Sequence, residues 1–198
     1  MILIINNSNG ELEPKIIQYI KSTKIPFKEA TTIKDIDSAK NVTHIILTGS
    51  PLMVNEKDIL NNKQVFYLNI YAIKKFPKIP ILGICFGCQL INILWGGELK
   101  QLKQGLKTTI PITFNQNKVL NHIINPLTQE FQFNCNYVLK NIPKTFKEIA
   151  HINQPKSKSI NHLPCIIKHK TLPIYGILAH PELLESSQWF LEQFLKKY

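Results

Sequence analysis

Short apolar runs alternate with amphipathic segments through the first half of the chain. Residues 1–5, 42–48 and 79–82 are nearly continuous apolar runs, a pattern typical of strands that are buried on both faces of a sheet. Residues 12–20 carry apolar side chains three and four positions apart, which predicts one buried face of a helix. Residues 62–76 predict a second helix.

The pattern changes after Gly96-Gly97, where shorter and more polar strands are predicted. Early alternation of strands and helices followed by short strands predicts an α/β fold. We expect a doubly wound, mostly parallel central sheet with helices on both faces and a short antiparallel extension, formed by residues 1–198 as a single domain. The later predicted strands are residues 108–114, 131–138, 146–152, 163–168 and 174–178, and they are followed by a helix at 185–197.

Composition favours a globular protein and argues against a nucleic-acid partner. Of the 198 residues 44% are hydrophobic and 19% are charged. The net charge is +11, but all 24 basic residues are lysine, whereas arginine makes most of the bidentate contacts that read bases. The lysine excess in residues 131–181, where Glu148 is the one acid, fits a solvated face or the docking of an acidic partner.

Neither export nor membrane insertion is expected. No apolar run approaches the roughly 18 residues of a membrane span, and the apolar start after Met1 is too short for a signal peptide. The cysteines at 85, 88, 135 and 165 show no disulfide-framework spacing. We therefore expect a cytoplasmic protein with free thiols.

Gly83-Ile84-Cys85-Phe86-Gly87 lies between the predicted strand 79–82 and a predicted helix at 88–95. Small residues two before and two after a nucleophile allow a sharp turn from strand to helix, which would hold Cys85 strained and exposed. The helix N-terminus would favour the thiolate, the form that attacks. The alternative is a buried cysteine in a glycine-rich turn.

His180-Pro181-Glu182 contains the base that such a cysteine would need. In an extended segment His180 and Glu182 project to the same side, and the proline favours that geometry. Alone, the tripeptide is more typical of a surface turn. Combined with the cysteine motif, it predicts a Cys85-His180-Glu182 triad in which the carboxylate orients the imidazole.

A metal site is the alternative from another class of function. His162, Cys165 and His169 have ligand-like spacing, and Cys135 or His151 could complete four ligands. Because residues 163–168 predict a strand with Cys165 in the core, we expect neither a metal nor another cofactor.

Three motifs together resemble those of the class I (triad) glutamine amidotransferases. Residues 83–89 resemble the family's G-x-C-x-G-x-Q signature, residues 179–182 resemble F-H-P-E, and residues 45–51 resemble the strand and S-G-G-P loop of the oxyanion hole. The motifs occur in family order and cover nearly the whole chain.

The resemblance implies a role for each matching residue. Cys85 would attack the amide carbon of glutamine, and the N–H groups of Ser50 and Phe86 would bind the oxyanion. Substrate-binding residues would be, by the same resemblance, Gly49, Gln89, Asn134 and Asn136; Gln89 has the alternative role of capping its own helix turn.

Three departures from the family pattern concern the substrate rather than the triad. Residues 134–138, Asn-Cys-Asn-Tyr-Val, stand where many relatives read S-H-G-D-x-V, so an ionic partner for the substrate's amino group would be lost. Residues 103–105 replace E-x-G, and Ala179 replaces phenylalanine.

The resemblance leaves three functions open. The first is a glutaminase that releases ammonia for a separate synthetase such as GMP synthetase. The second is a stand-alone γ-glutamyl peptidase, which Ser50 and Phe86 resemble. The third is a non-catalytic binding module, which the intact triad disfavours.

Overall fold

A nine-stranded sheet forms the centre of the molecule in a computed structural model that describes residues 1–8, 14–153 and 162–197. Its strand order is β2-β1-β3-β4-β13-β12-β11-β6-β9. Within the described residues the strands are β1 (Ile2–Ile5), β2 (Phe27–Ala30), β3 (His44–Leu47), β4 (Ile81–Ile84), β5 (Glu98–Leu106), β6 (Thr109–Phe114), β7 (Lys118–Val119), β8 (His122–Ile123), β9 (Thr128–Gln132), β10 (Cys135–Asn141), β11 (Phe146–Ile152), β12 (Leu163–His169) and β13 (Ile174–Ile177).

The first five strands in this order are parallel, and β12, β11, β6 and β9 continue the sheet antiparallel. Every residue of β1, β3, β4 and β13 is buried, as expected of strands covered on both faces. The predicted α/β fold with a parallel centre and an antiparallel extension is confirmed. Carboxyl ends of parallel strands share one edge of a sheet, so the loops after β1, β3, β4 and β13 meet there.

Six helices accompany the sheet in the described part of the chain. They are α1 (Lys15–Thr23), α2 (Ile33–Asp37), α3 (Glu56–Asn61), α4 (Lys63–Lys75), α5 (Phe86–Leu94) and α6 (Trp189–Lys197). The helix predicted at 12–20 is α1, with Ile16, Ile17 and Ile20 buried; Leu12 lies outside the described residues. None of the described helices is long and apolar enough to cross a membrane.

Three sequence predictions differ from the observed elements. The predicted strand 131–138 is two strands, because β9 ends at Gln132 and the chain then leaves the main sheet to pair β10 with β5. The predicted helix 185–197 is a 3-10 turn, Glu185–Ser187, followed by α6. Strand β5 was not predicted, since Leu102 is its one buried side chain.

Candidate active site

Cys85 lies in a strained turn between β4 and α5. Its backbone has φ 50° and ψ −103°, a conformation that costs a non-glycine residue about 1–3 kcal/mol. Both flanking glycines are required by close backbone packing. A Cβ on Gly83 would lie 2.5 Å from the carbonyl carbon of Gly87, and a Cβ on Gly87 would lie 2.4 Å from the carbonyl oxygen of Leu47. The structure therefore contains the predicted nucleophile elbow.

The Cys85 side chain is less accessible than the sequence predicted. It is 4% exposed, although it lines the wall of a cavity. Its Sγ atom contacts the carbonyl oxygen of Asn134 at 3.6 Å, because the loop between β9 and β10 crosses over the elbow. Cys85 also precedes the first residue of α5, where unpaired N–H groups favour a thiolate.

His180 and Glu182 follow β13 and form a buried pair. The His180 N–H donates to the carbonyl oxygen of Gln132 at 2.8 Å, which ties the segment to β9. His180 Nδ1 lies 2.7 Å from Glu182 Oε1, and the two side chains are 14% and 5% exposed. This burial contradicts the alternative of a surface turn, since a carboxylate needs a reason to be removed from water.

The pKa of His180 reflects its two neighbours. Burial is the largest single influence and lowers the pKa, but the interactions with Cys85 and with the Glu182 carboxylate raise it to about 10. His180 is therefore protonated at neutral pH. Its Nε2 atom is buried and has no hydrogen-bond partner among the described residues, so it can donate a proton within the site.

Gly49 lies beside both Cys85 and His180. A Cβ at this position would be 3.0 Å from His180 Cε1 and 3.7 Å from Cys85 Cβ. The elbow after β4, the histidine after β13 and the loop after β3 therefore meet at one point, the shared edge of the parallel strands.

The loop after β3 presents Ser50 to this point. Ser50 Oγ donates to the carbonyl oxygen of Asn7 at 2.7 Å and accepts from the Leu52 N–H at 3.0 Å. The Ser50 N–H donates to no acceptor in the part of the chain that the structure describes. The Phe86 N–H, at the first position of α5, has no intrahelical acceptor. Both predicted oxyanion donors are thus unpaired.

A buried polar network holds the Ser50 loop, and the sequence reasoning missed it. The Asn7 N–H donates to Thr48 Oγ1 at 2.9 Å, and Asn7 Nδ2 donates to the Thr48 carbonyl at 2.9 Å. Asn69 Nδ2 donates to Asn7 Oδ1 at 2.7 Å. All three residues are fully buried. The signal in the sequence was a pair of asparagines placed directly after the buried strand β1.

A cavity of about 280 Å³ opens beside Cys85. Of the described residues that line it, only Lys107 carries a permanent charge, and the sequence reasoning did not single it out. Gln89 does not cap its own turn: its Nε2 donates to the Tyr137 carbonyl at 2.9 Å, which holds β10 against α5. The lining residues are Ser50, Pro51, Leu52, Met53, Cys85, Phe86, Gln89, Lys107, Asn134, Cys135, Asn136 and Tyr137.

The metal ligands weighed from the sequence are not assembled among the described residues. Cys165 is fully buried in β12. His169 Nδ1 accepts from the N–H groups of Thr171 and Leu172 at 3.2 and 3.0 Å. His162 instead contacts the carboxylate of Glu148.

Comparison with known proteins agrees with this geometry. The family model for glutamine amidotransferase class-I matches residues 7–197. A subunit of the glutamine-hydrolyzing GMP synthase of Methanocaldococcus jannaschii is 29% identical over 203 residues, which cover 99% of this chain and 96% of that protein. The glutamine-hydrolyzing GMP synthase of Borreliella burgdorferi is 31% identical over 173 residues, 85% of this chain but 29% of that longer protein.

The fold also matches a solved structure. A protein from Thermoplasma acidophilum, described as one subunit of a GMP synthase, superposes with a TM-score of 0.78 over 98% of this chain and 91% of that chain, at 20% identity. The family model spans nearly all of the sequence, including the elbow, the oxyanion loop and the histidine segment. The chain therefore belongs to the class I glutamine amidotransferase family.

Proposed function

We propose that the chain is a cytoplasmic glutaminase that releases ammonia from glutamine and delivers it to a separate synthetase, and that residues 1–198 act as one domain. The observation that carries the proposal is the meeting of Cys85 with the buried His180–Glu182 pair beside a cavity and two unpaired N–H groups. Free thiols at all four cysteines fit a reducing compartment.

The reaction follows from the positions of these groups. The Cys85 thiolate attacks the side-chain amide carbon of glutamine, and the N–H groups of Ser50 and Phe86 bind the oxyanion that forms. Protonated His180 gives its proton to the leaving nitrogen, so the C–N bond breaks and ammonia departs. A γ-glutamyl thioester remains on Cys85. His180 then takes a proton from water, which attacks the thioester and releases glutamate.

Glu182 acts on His180 rather than on the substrate. Its carboxylate accepts from Nδ1 at 2.7 Å, which directs Nε2 to the reacting atoms and stabilises the imidazolium. Because the pair is buried, the interaction is little screened by solvent.

The choice of a separate synthetase rests on the lengths of the relatives. The Methanocaldococcus jannaschii protein matches this chain over almost its full length, whereas the Borreliella burgdorferi GMP synthase is far longer than the matched region. The proposed acceptor is therefore a GMP synthetase supplied by a second chain.

A substrate comparison distinguishes this function from a stand-alone γ-glutamyl peptidase. We expect the purified chain to hydrolyse glutamine slowly alone and faster when a GMP synthetase chain without its own glutaminase is added. We expect no hydrolysis of a γ-glutamyl dipeptide. Released glutamate is measured for each substrate, and free ammonia serves as the control that the synthetase is active. Rapid cleavage of the dipeptide by the isolated chain would contradict the proposal.

Lys107 is expected to bind the α-carboxylate of glutamine. It is exposed, lines the cavity and has no hydrogen bond or ion pair within the described residues, while no acidic side chain lines the same cavity. We expect Lys107→Met to raise KM for glutamine about tenfold with little change in kcat, the equivalent of one charge-assisted hydrogen bond. Steady-state kinetics with varied glutamine measure both constants.

The matched control is Lys103→Met, which removes an exposed lysine of β5 that does not line the cavity. Glutamine α-amide, which lacks the carboxylate, should be a poor substrate for the wild type and should not distinguish it from Lys107→Met. Equal KM values for glutamine in Lys107→Met and in the wild type would exclude this role.

A further inference from the structure

A cluster of Glu148, His151 and His162 lies outside the active site, and its ligand atoms all lie within 4.8 Å of one another. His162 Nε2 is 2.9 Å from both carboxylate oxygens of Glu148, and His151 Nδ1 is 3.2 Å from Glu148 Oε1. The two imidazole rings stack with their centroids 4.0 Å apart. Two imidazoles thus direct nitrogen atoms at one carboxylate.

An irregularity in β11 is what places two of these residues together. Residues three apart on a regular strand face opposite sides of the sheet. The register of β11 against β12 shifts between Glu148 and Ala150 and again between Ala150 and His151. Bulges of this kind turn a side chain to a new direction, and here the result is that Glu148 and His151 face the same point.

Asn115 orients the carboxylate and one imidazole. Its Nδ2 donates to Glu148 Oε1 at 2.9 Å, and its Oδ1 lies 2.9 Å from His151 Nδ1. Metal ligands are commonly held by such outer hydrogen bonds, which fix the ring orientation and the carboxylate rotamer.

We propose that Glu148, His151 and His162 form a binding site for a divalent transition-metal ion, and that Zn²⁺ is the ion it takes. Two imidazoles and one carboxylate are a known three-ligand set for zinc, with a fourth position left for water. Ligand atoms about 2.0–2.2 Å from a tetrahedral ion lie a little over 3 Å from one another, close to the spacings between Glu148 and the two histidines.

The site is separate from the catalytic centre. Strand β11 is the third strand from β4 in the order β4-β13-β12-β11. Its carboxyl end lies at the same edge of the sheet as Cys85, because two antiparallel pairings restore the direction of β13. None of the three proposed ligands lines the cavity beside Cys85, so metal binding can be measured without catalysis.

Zinc binding is tested on the full chain with Cys85 replaced by alanine, which removes the catalytic thiol as a competing ligand. After treatment with a chelator, the protein is dialysed against Zn²⁺ alone, and bound metal per chain and the melting temperature are measured. We expect one Zn²⁺ per chain and a higher melting temperature with the metal. His162→Asn and Glu148→Gln in the same background should each weaken binding about tenfold or more and abolish the shift.

The matched control is His122→Asn, which removes a histidine that stacks on Trp189 and is not part of the cluster. It should bind zinc like the background protein. His162 is half exposed, so its replacement should leave the fold intact, and circular dichroism verifies this. Absence of bound zinc in the background protein, or equal zinc binding by folded His162→Asn, would overturn the proposal.

Discussion

Replacement of Cys85 by alanine is expected to reduce glutamine hydrolysis by about 10⁴-fold or more, the scale on which removal of a nucleophile acts in triad enzymes. The oxyanion donors and the cavity remain, but no thioester can form. The fold should persist because alanine keeps the elbow and removes only one buried sulfur atom. Glutamate release with the synthetase present, together with the free energy of unfolding, measures both effects.

Cys165→Ala is the control for this substitution. It also removes a buried thiol, but from β12 and outside the catalytic cavity. It should lose some stability, as expected for a core residue, and keep activity within a few-fold of the wild type, roughly as distant core changes do. Substantial glutamine hydrolysis by Cys85→Ala would show that another group is the nucleophile.

His180→Ala is expected to cost nearly as much activity as the loss of Cys85. The substitution removes both the partner that favours the thiolate and the proton donor for the leaving ammonia. Glu182→Gln keeps the shape of the side chain and removes its charge, so its cost should be smaller by about two orders of magnitude. The kcat and KM of both variants, measured side by side, give the comparison.

The Glu182→Gln variant has a second readout. Interaction with the carboxylate contributes to the raised pKa of His180, so the glutamine variant should have a lower His180 pKa. The population of imidazolium should then fall at a lower pH than in the wild type, which an NMR titration of His180 detects. Full activity in Glu182→Gln combined with a mild loss in His180→Ala would exclude the triad.

The catalytic groups could be predicted from the sequence because each depends on local chemistry. The glycines around Cys85 are required by backbone contacts inside a single strand-turn-helix unit. His180 and Glu182 lie two positions apart in an extended segment, so their pairing follows from strand geometry. Buried apolar runs likewise indicated the parallel strands.

The substrate cavity could not be derived in this way because distant segments form it. Lys107 and Asn134 belong to different turns, and both line the cavity because β9 ends and the chain crosses to pair with β5. The mainly polar β5 has no periodic apolar pattern, so its sequence reads as a loop. The zinc ligands that we propose depend on the irregularity in β11, which the spacing of histidines and cysteines does not encode.

Labelling by a γ-electrophilic glutamine analogue, followed by mass mapping of all four cysteines, tests the central claim most directly. We expect one adduct per chain, on Cys85, and none in His180→Ala at the same rate. The other thiols should be spared because burial raises the pKa of Cys88, Cys135 and Cys165. An adduct distributed over several cysteines, or located on a cysteine other than Cys85, would contradict the account.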